Sequence, residues 1–313
     1  MEIALVMGFP ASGKSTWTQK NLPSHRRVNR DLDGGSLDDL LPLIERALDA
    51  GESVVLDNTY ATVDTRRPVL DLAKRRGVPV RCVWLDGSIE DAQRNAAIRL
   101  VQKHGRLPSP AEIKSLGKND PNTFPPAPLF AYRKRFEKPT AAEGFAAIDR
   151  VAFARELHAG VGDRRAVILD YDGTLRATKS GEKYPRSPDD IAILPGRAEK
   201  LARLKADGWL LFGVSNQGDV ARGKLSADDA RACFARTNEL LGHDIEVRFC
   251  PHDPAPISCW CRKPMPGFGV EIAVLHGLDP ARCVMVGDQT TDETFAKRAG
   301  FAFEHADRFF STP

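Results

Sequence analysis

No apolar run in this sequence approaches the roughly twenty residues a membrane span needs. The opening stretch, MEIALVMGFP, is too short to be a signal-peptide core followed by a cleavage site. No membrane partner and a cytoplasmic location are therefore expected. Net charge is nearly lacking too, at +3, which excludes a protein that coats long tracts of nucleic acid but leaves binding at a strand end open. There is no internal repeat and no low-complexity tract. Cysteine is scarce, at 6 residues, and Cys250, Cys259 and Cys261 crowd around His252. That clustering argues for metal ligation rather than a disulfide framework. What remains is an ordinary composition, 42% hydrophobic and 28% charged over 313 residues. A chain of that length favours two domains of about 150 residues each.

The N-terminal part reads as alternating strands and helices. Glu2 to Met7 is an apolar strand that runs into Gly8-Phe9-Pro10-Ala11-Ser12-Gly13-Lys14-Ser15-Thr16, the G-x-x-x-x-G-K-S pattern of a phosphate-binding loop in its required strand-to-helix context. The glycines let backbone N–H groups turn inward toward phosphate oxygens, and the following helix N-terminus adds its positive end. Gly8, Ser12, Gly13, Lys14, Ser15 and Thr16 are thus the candidate ATP-binding residues, with Lys14 on the terminal phosphates and Ser15 on magnesium. Arg27 to Asp31 reads as a short strand ending in an acid. Asp31 then either accepts a proton from an attacking hydroxyl or caps a helix starting near Ser36. Leu37, Leu40, Leu41, Ile44 and Leu48 recur at helical spacing up to Gly51. The strand Ser53 to Thr59 carries Asp57, which either holds a magnesium-bound water, orients an acceptor, or caps a loop. A helix over Val63 to Arg76, a strand over Val80 to Leu85 and a helix from Ser88 to Arg99 follow, then a poorly periodic stretch to Pro128. An arginine from this region could meet the migrating phosphoryl group; Arg99 is the first candidate and Arg94 the second, and a solvated surface charge is the alternative for either.

The stretches VMGFPASGKST, VNRD and VVLDNT, the residues Glu90, Ala92 and Asn95 within IEDAQRNAAIR, and AYRKRFEKPTAAEGFAAI closely resemble the kinase domain of polynucleotide kinase-phosphatases. The match is to the animal DNA-repair type and runs from about Ile3 to Phe153. The resemblance implies ATP as donor, a 5′-hydroxyl at a DNA or RNA strand end as acceptor, and Asp31 as general base. Gly34 stands where the bacteriophage member has an arginine, as in the animal type. No forkhead-type phosphopeptide module precedes this region, so docking of that kind is not expected.

A change of domain is expected near Gly160 to Asp163, giving 1–160 and 161–313. Beyond it, Val167-Ile168-Leu169-Asp170-Tyr171-Asp172-Gly173-Thr174-Leu175 reads as a buried strand delivering two carboxylates to one face. Like charges that close need a cation or a proton between them, and magnesium is the natural solution. Leu211 to Gln217, with Ser215, and Val284 to Asp292, with Asp288 and Asp292, are further apolar strands with polar ends; Lys263 follows Arg262. Cys250 with His252 and Cys259 with Cys261 supply, by paired i,i+2 spacing, a three-cysteine, one-histidine tetrahedron, that is, a structural zinc site. Cys82, Cys233 and Cys283 sit in apolar contexts and are expected to be buried thiols.

This half resembles haloacid dehalogenase class III phosphatases over nearly its whole length. The resemblance implies Asp170 as nucleophile, Asp172 as general acid and then base, and Ser215 and Lys263 on the phosphoryl group. It also implies a magnesium site of Asp170, Asp172 and Asp288, with Asp292 in support and the Tyr171 carbonyl as a further ligand. TKSGEKYP and NQGDVARGKL are similar to the phosphatase domain of polynucleotide kinase-phosphatases, whereas CPHDP and CWCRKPMPGF are similar to the zinc loop of heptose-bisphosphate and histidinol-phosphate phosphatases. The expectation is therefore an α/β chain of two doubly wound domains, a P-loop kinase and a haloacid dehalogenase-like phosphatase. Together they would heal nucleic-acid ends, using ATP, Mg2+ and Zn2+. A small-molecule kinase fused to a sugar-phosphate or histidinol-phosphate phosphatase is the alternative, and an ATP-binding interaction module with inactive sites is a third reading.

Overall fold

The structure is a computed structural model that describes residues 1–156, 158–160 and 162–311. Two compact units divide the chain, one of Met1–Asn95 with Gly117–Glu156 and the other of Ala96–Leu116 with Leu157–Pro313. Leu157 and Val161, the second of them inside the stretch where a domain change is expected, lie outside the described residues.

The first unit is built on five parallel strands: β1 (Ile3–Met7), β2 (Arg26–Val28), β3 (Val54–Leu56), β4 (Val80–Asp86) and β5 (Ala147–Ala152), in the order β2-β3-β1-β4-β5. Between them run α1 (Lys14–Asn21), α2 (Arg30–Asp33), α3 (Leu41–Asp49), α4 (Val63–Arg76), α5 (Ile89–His104) and α7 (Ala127–Arg135), with α6 (Pro110–Leu116) counted in the second unit. Parallel strands need helices on both faces, and the period of two along β1 supplies them. Ile3, Leu5 and Met7 enter one core with Ile44, Leu56 and Leu72, while Ala4 and Val6 enter another with Val55, Val83 and Leu85. The stretch before Pro128 is more ordered than its weak periodicity suggests, because α6 and the start of α7 lie in it. The expected strand Arg27–Asp31 is a correction: pairing stops at Val28, since Asn29 turns the chain and caps α2, its Oδ1 accepting from the Asp31 amide at 2.7 Å.

The second unit has β6 (Ala166–Leu169), β9 (Leu210–Asn216), β10 (Glu246–Cys250), β11 (Val284–Gly287) and β12 (Ala302–His305) in one parallel sheet of order β10-β9-β6-β11-β12. An antiparallel pair, β7 (Arg176–Thr178) and β8 (Ile191–Ile193), leaves just after β6. Its helices are α8 (Arg197–Ala206), α9 (Gly218–Ala221), α10 (Ala227–Leu241), α11 (Gly267–Leu275), α12 (Thr290–Ala299) and α13 (Ala306–Ser311). Ala166 and Ile168 of β6 pack with Phe212, Val270, Met285 and Phe295 on one side; Val167 and Leu169 pack with Leu211, Phe234 and Val286 on the other. Both units are thus doubly wound α/β sheets whose central strands, β1 and β6, aim their C-terminal ends at the polar residues discussed next. Among the described residues no helix is long and apolar enough to cross a membrane.

Candidate active sites

In the first unit the chain leaves β1 at Gly8, whose φ of 152° and surroundings exclude a side chain: a Cβ there would stand 2.9 Å from the Leu85 carbonyl oxygen and 2.9 Å from Ser12 Oγ. Gly13 caps α1 from the left-handed region, at φ 87°. Ala11, a non-glycine residue, is also left-handed at φ 60°. Successive turns of this kind make a concave row of N–H groups that accepts an anion. The Lys14 ammonium donates to the Gly8 and Phe9 carbonyls, at 3.1 and 2.7 Å, so it is held over the loop. Ser12 Oγ is buried and has no hydrogen-bond partner among the described residues. An orphaned hydroxyl in such a loop fits a phosphate oxygen, which accepts what the hydroxyl donates. Ser15 and Thr16 begin α1 and are exposed.

Asp31 lies in the first turn of α2, just beyond the end of β2, and its exposed carboxylate makes no hydrogen bond or ion pair among the described residues. The capping reading goes to other residues. Asn29 caps α2, and Ser36 pairs with Asp39, its amide and hydroxyl donating to Asp39 Oδ2 at 2.7 and 2.7 Å. Asp57 is buried and fully engaged: Arg27 grips it with Nε to Oδ1 at 3.1 Å and Nη2 to Oδ2 at 2.6 Å, and Asn29 Nδ2 donates to it as well. It braces β2 against β3. Arg94 and Arg99 are both half-buried on α5, Arg94 in the first unit and Arg99 in the part of α5 that belongs to the second. A side chain not singled out from the sequence, Arg155, lies beyond β5. It donates to Asn95 and, at 2.6 Å, to Asp91, and Asn95 Nδ2 in turn donates to the Ala11 carbonyl of the phosphate loop at 3.0 Å.

In the second unit, β6 ends at Leu169, so Asp170 and Asp172 stand on the turn after the strand rather than on it. Asp170 is buried, and Lys263 Nζ bridges it to Asp292, 2.6 Å from Asp170 Oδ1 and 2.7 Å from Asp292 Oδ1. Burial pushes the Asp170 carboxyl up to about 7, against the pull of the Lys263 ammonium. Burial alone would lower Lys263, yet the Asp170 and Asp292 carboxylates outweigh it and hold the ammonium above its ordinary value. Lys263 itself is fixed through its backbone: its N–H donates to Asn216 Oδ1 at 2.9 Å, and Asn216 Nδ2 donates to its carbonyl at 2.9 Å.

Carboxylate oxygens of Asp170, Asp288 and Asp292 lie within 4.8 Å of one another, and Asp288 Oδ1 is buried without a hydrogen-bond partner among the described residues. Clustered oxygens with an unsatisfied lone pair fit a hard divalent cation. The Asp172 carboxylate is turned elsewhere, accepting from Arg176 Nε at 2.8 Å and Gln217 Nε2 at 2.9 Å. The Tyr171 carbonyl is a correction, for it is taken up by the amides of Thr174, Leu175 and Arg176, at 3.3, 2.9 and 3.1 Å. Ser215 Oγ is buried and accepts from Gln217 Nε2 at 3.0 Å. Asp170, Asp172, Ser215, Lys263, Asp288 and Asp292 nonetheless line one cleft of about 310 Å³.

The four donors Cys250, His252, Cys259 and Cys261 also gather within 4.8 Å. Cys250 Sγ is 3.8 Å from Cys259 Sγ and 3.4 Å from His252 Nδ1, which is 3.2 Å from Cys261 Sγ. Metal–sulfur bonds of about 2.3 Å arranged tetrahedrally put sulfurs roughly 3.8 Å apart, so the donor set fits a tetrahedral ion.

Known proteins resemble each of the two units. The AAA domain family matches residues 33–116 and the HAD-hydrolase-like family residues 260–303. D-glycero-beta-D-manno-heptose-1,7-bisphosphate 7-phosphatase of Rhodopseudomonas palustris is 34% identical over 157 residues, 46% of this chain and 86% of that protein. The chain belongs to the haloacid dehalogenase-like phosphatases. It joins that phosphatase to a kinase-like P-loop unit, and it is also similar to the bifunctional polynucleotide phosphatase/kinase of Schizosaccharomyces pombe, at 30% identity over 154 residues, 49% of this chain. That match spans only about a third of the yeast protein, 34% of its length. The crystal structure of D,D-heptose 1,7-bisphosphate phosphatase from B. bronchiseptica, complexed with magnesium and phosphate, is 32% identical over 45% of this chain and 78% of that one, with a TM-score of 0.41.

Two features of the haloacid dehalogenase-like unit escaped sequence reasoning. Arg176, which opens β7 and was not singled out, is 1% exposed. Its anchors, Cys233 and Thr237 on α10, are far away in sequence. The Asn216 clamp on Lys263 was foreshadowed only by an amide at the end of an apolar strand.

Proposed function

We propose that the chain is a cytoplasmic, bifunctional end-healing enzyme for nucleic acids, with its kinase activity before the Gly160 region and its phosphatase activity after it. The P-loop unit transfers the γ-phosphate of ATP to a 5′-hydroxyl, and the phosphatase unit removes a 3′-phosphate. The observation that carries the reading is that one chain pairs a phosphate loop and an exposed, unpaired carboxylate, Asp31, with a full aspartate-based phosphatase centre. The yeast relative's name joins the same two activities.

In the kinase step Asp31 takes the proton of the attacking hydroxyl as its oxygen bonds to the γ-phosphorus and the bond to the bridging oxygen of ADP breaks. Lys14 and the loop amides hold the phosphates, Ser15 is the side chain for magnesium, and Arg99, with Arg94 second, is the arginine assigned to the transferring group. In the phosphatase, an Asp170 oxygen attacks phosphorus while Asp172 protonates the departing 3′-oxygen, giving an aspartyl phosphate. Water then attacks that phosphorus, Asp172 takes its proton, and the Asp170 carboxylate is released. Lys263 balances charge on the phosphoryl oxygens, and Ser215 holds one of them. A magnesium ion held by Asp170 and Asp288, with Asp292 in support, would add positive charge at the same oxygens. Cys250, His252, Cys259 and Cys261 would hold a structural zinc that fixes the chain leading to Lys263.

The Cys/His loop and the heptose-bisphosphate phosphatase relatives favour a second reading, a small-molecule kinase fused to a sugar-phosphate or histidinol-phosphate type of phosphatase. Transfer of label from ATP to a 5′-hydroxyl oligonucleotide, with Lys14→Ala and Asp31→Ala as controls, decides between them, alongside release of phosphate from a 3′-phosphate oligonucleotide with Asp170→Asn as control. Label lost in both kinase variants supports end healing. No action on any DNA or RNA end, by protein that still cleaves a generic phosphate ester, refutes it. Rising salt should weaken an enzyme that contacts several phosphates and spare a metabolite enzyme.

A further inference from the structure

Arg176 opens β7 and is buried, 1% exposed, against the Asp172 carboxylate. Its Nε donates to Asp172 Oδ1 at 2.8 Å. Its Nη1 donates to the Cys233 carbonyl at 2.9 Å and to Thr237 Oγ1 at 2.8 Å, both on α10. The guanidinium carbon also lies 5.4 Å from the centroid of the Tyr171 ring and 4.9 Å from that of Phe234. Hydrogen bonds to α10 and two aromatic rings therefore fix this side chain before it reaches Asp172. Gln217 Nε2 holds the other carboxylate oxygen, Oδ2, at 2.9 Å, and touches Ser215 Oγ at 3.0 Å. A carboxylate offers about four acceptor positions. With one on each oxygen occupied by a rigid donor, the direction of those that remain is set. This matters because Asp172 sits on a turn, where no strand or helix would hold its rotamer.

We infer that Arg176 is a positioning residue of the phosphatase, which by gripping Asp172 Oδ1 aims Asp172 at the water that hydrolyses the aspartyl phosphate. The inference rests on the aspartyl-phosphate reading given above. In that step the water oxygen bonds to phosphorus and its proton passes to Asp172. The bond from phosphorus to the Asp170 oxygen breaks, its electron pair returning to the Asp170 carboxylate. Arg176 acts through Asp172, which it grips, and takes no part itself in the bonds made and broken. Lysine in its place keeps the charge but loses the planar fork that reaches Asp172 and α10 together.

The test uses the full chain with magnesium and p-nitrophenyl phosphate, whose leaving group departs without a proton, so that Asp172 is needed only in the second step. In Arg176→Lys, kcat should fall about tenfold or more, within the range of general acid–base effects. KM should fall in parallel, leaving kcat/KM within about threefold of wild type, because that ratio reports the first step. Mass spectrometry of acid-quenched enzyme should find the Asp170 peptide phosphorylated in a larger fraction of variant than of wild-type molecules. Thr237→Val, which removes one anchor of the guanidinium without a charge change, should move kcat and KM the same way by a smaller factor, and it serves if Arg176→Lys does not fold. An equal fall in kcat and kcat/KM with no phosphorylated peptide, or no change in either variant, overturns the inference. If Asp170→Asn keeps full activity, the aspartyl-phosphate reading itself fails, and the inference with it.

Discussion

The most direct probe of the phosphatase centre is a methyl group placed where no ligand is altered. Gly173 has φ 85°, and a Cβ added there would stand 2.6 Å from Asp288 Oδ2 and 3.0 Å from its Cγ. The first distance is about 0.8 Å short of ordinary contact, which begins at 3.4 Å. Gly173→Ala therefore brings two separable effects. The left-handed backbone costs a non-glycine residue roughly 1–2 kcal/mol, a loss that a unit stable by about 5–15 kcal/mol survives. The overlap must push Asp288 out of the carboxylate cluster by a comparable fraction of an ångström, and a displacement near 1 Å costs on the order of a hundredfold in rate. The expected result is a fall of about ten- to a hundredfold in kcat on p-nitrophenyl phosphate, with half-saturation shifted to higher magnesium. Gly208→Ala is the matched control, for its φ is 80° and nothing lies within 4 Å of its Cβ. It should show similar backbone strain and unchanged activity. Wild-type activity and magnesium dependence in Gly173→Ala would refute the assignment of Asp288 to the cation, as would equal losses in the two variants.

Three further outcomes follow from particular contacts. Arg66 is fully buried and gripped by Glu143 at 2.6 and 2.9 Å, so Glu143→Gln should cost about 3–5 kcal/mol by urea denaturation, with the double replacement by methionine costing less than the sum of the singles. Hydrogen bonds from Arg81, aided by His25, hold the Glu2 carboxyl below its ordinary 4.5. The folded value being the lower one, this contribution is present above pH 4.5 and is lost as pH falls through the folded pKa; Glu2→Gln should flatten that part of an acid-unfolding curve. Titrating the thiols with an organomercurial should release stoichiometric zinc to a colorimetric indicator and abolish phosphatase activity while phosphoryl transfer from ATP persists, since Lys263 follows Cys261 by two residues.

How much of each site was legible depended on how local its physics is. Gly8 and Gly13 are demanded by backbone conformations at their own positions, so spacing alone revealed the phosphate loop. The continuous apolar runs of β1 and β6 made both central strands readable, and Cys250, His252, Cys259 and Cys261 carried their geometry in short-range pairs. Asp31 was read as the last residue of a strand, but pairing stops at Val28 and Asp31 lies in the first turn of α2 because Asn29 caps there, which nothing in the apolar pattern foretold. Asp172 was harder. Its i,i+2 relation to Asp170 suggested a shared strand face, but the strand ends before either residue, and the side chain is set by Arg176 from one direction and Gln217 from another. Arg176 is only four residues on, but its anchors lie on α10 and Gln217 follows β9, facts of tertiary structure with no periodic trace. Likewise the apolar residues Ala97, Ile98 and Val101 look like any helix face, and only packing assigns them to the core of the second unit.

On the proposed reading the two sites solve one problem, holding phosphate outside the C-terminal end of a central strand, with different materials, and this bears on how each should fail. A phosphate loop donates mainly through main-chain amides, which no side-chain change removes, so loss of Lys14 should weaken transfer more than binding. Around Lys263 the opposite holds. Asp170, Asp288 and Asp292 are acidic, and the ammonium that bridges Asp170 to Asp292 is a side chain 3% exposed. Removing it leaves buried carboxylates facing one another, a change that costs several kcal/mol unless a proton or a cation takes its place. Lys263→Met should therefore lower stability as well as activity, and added magnesium should restore stability without restoring turnover.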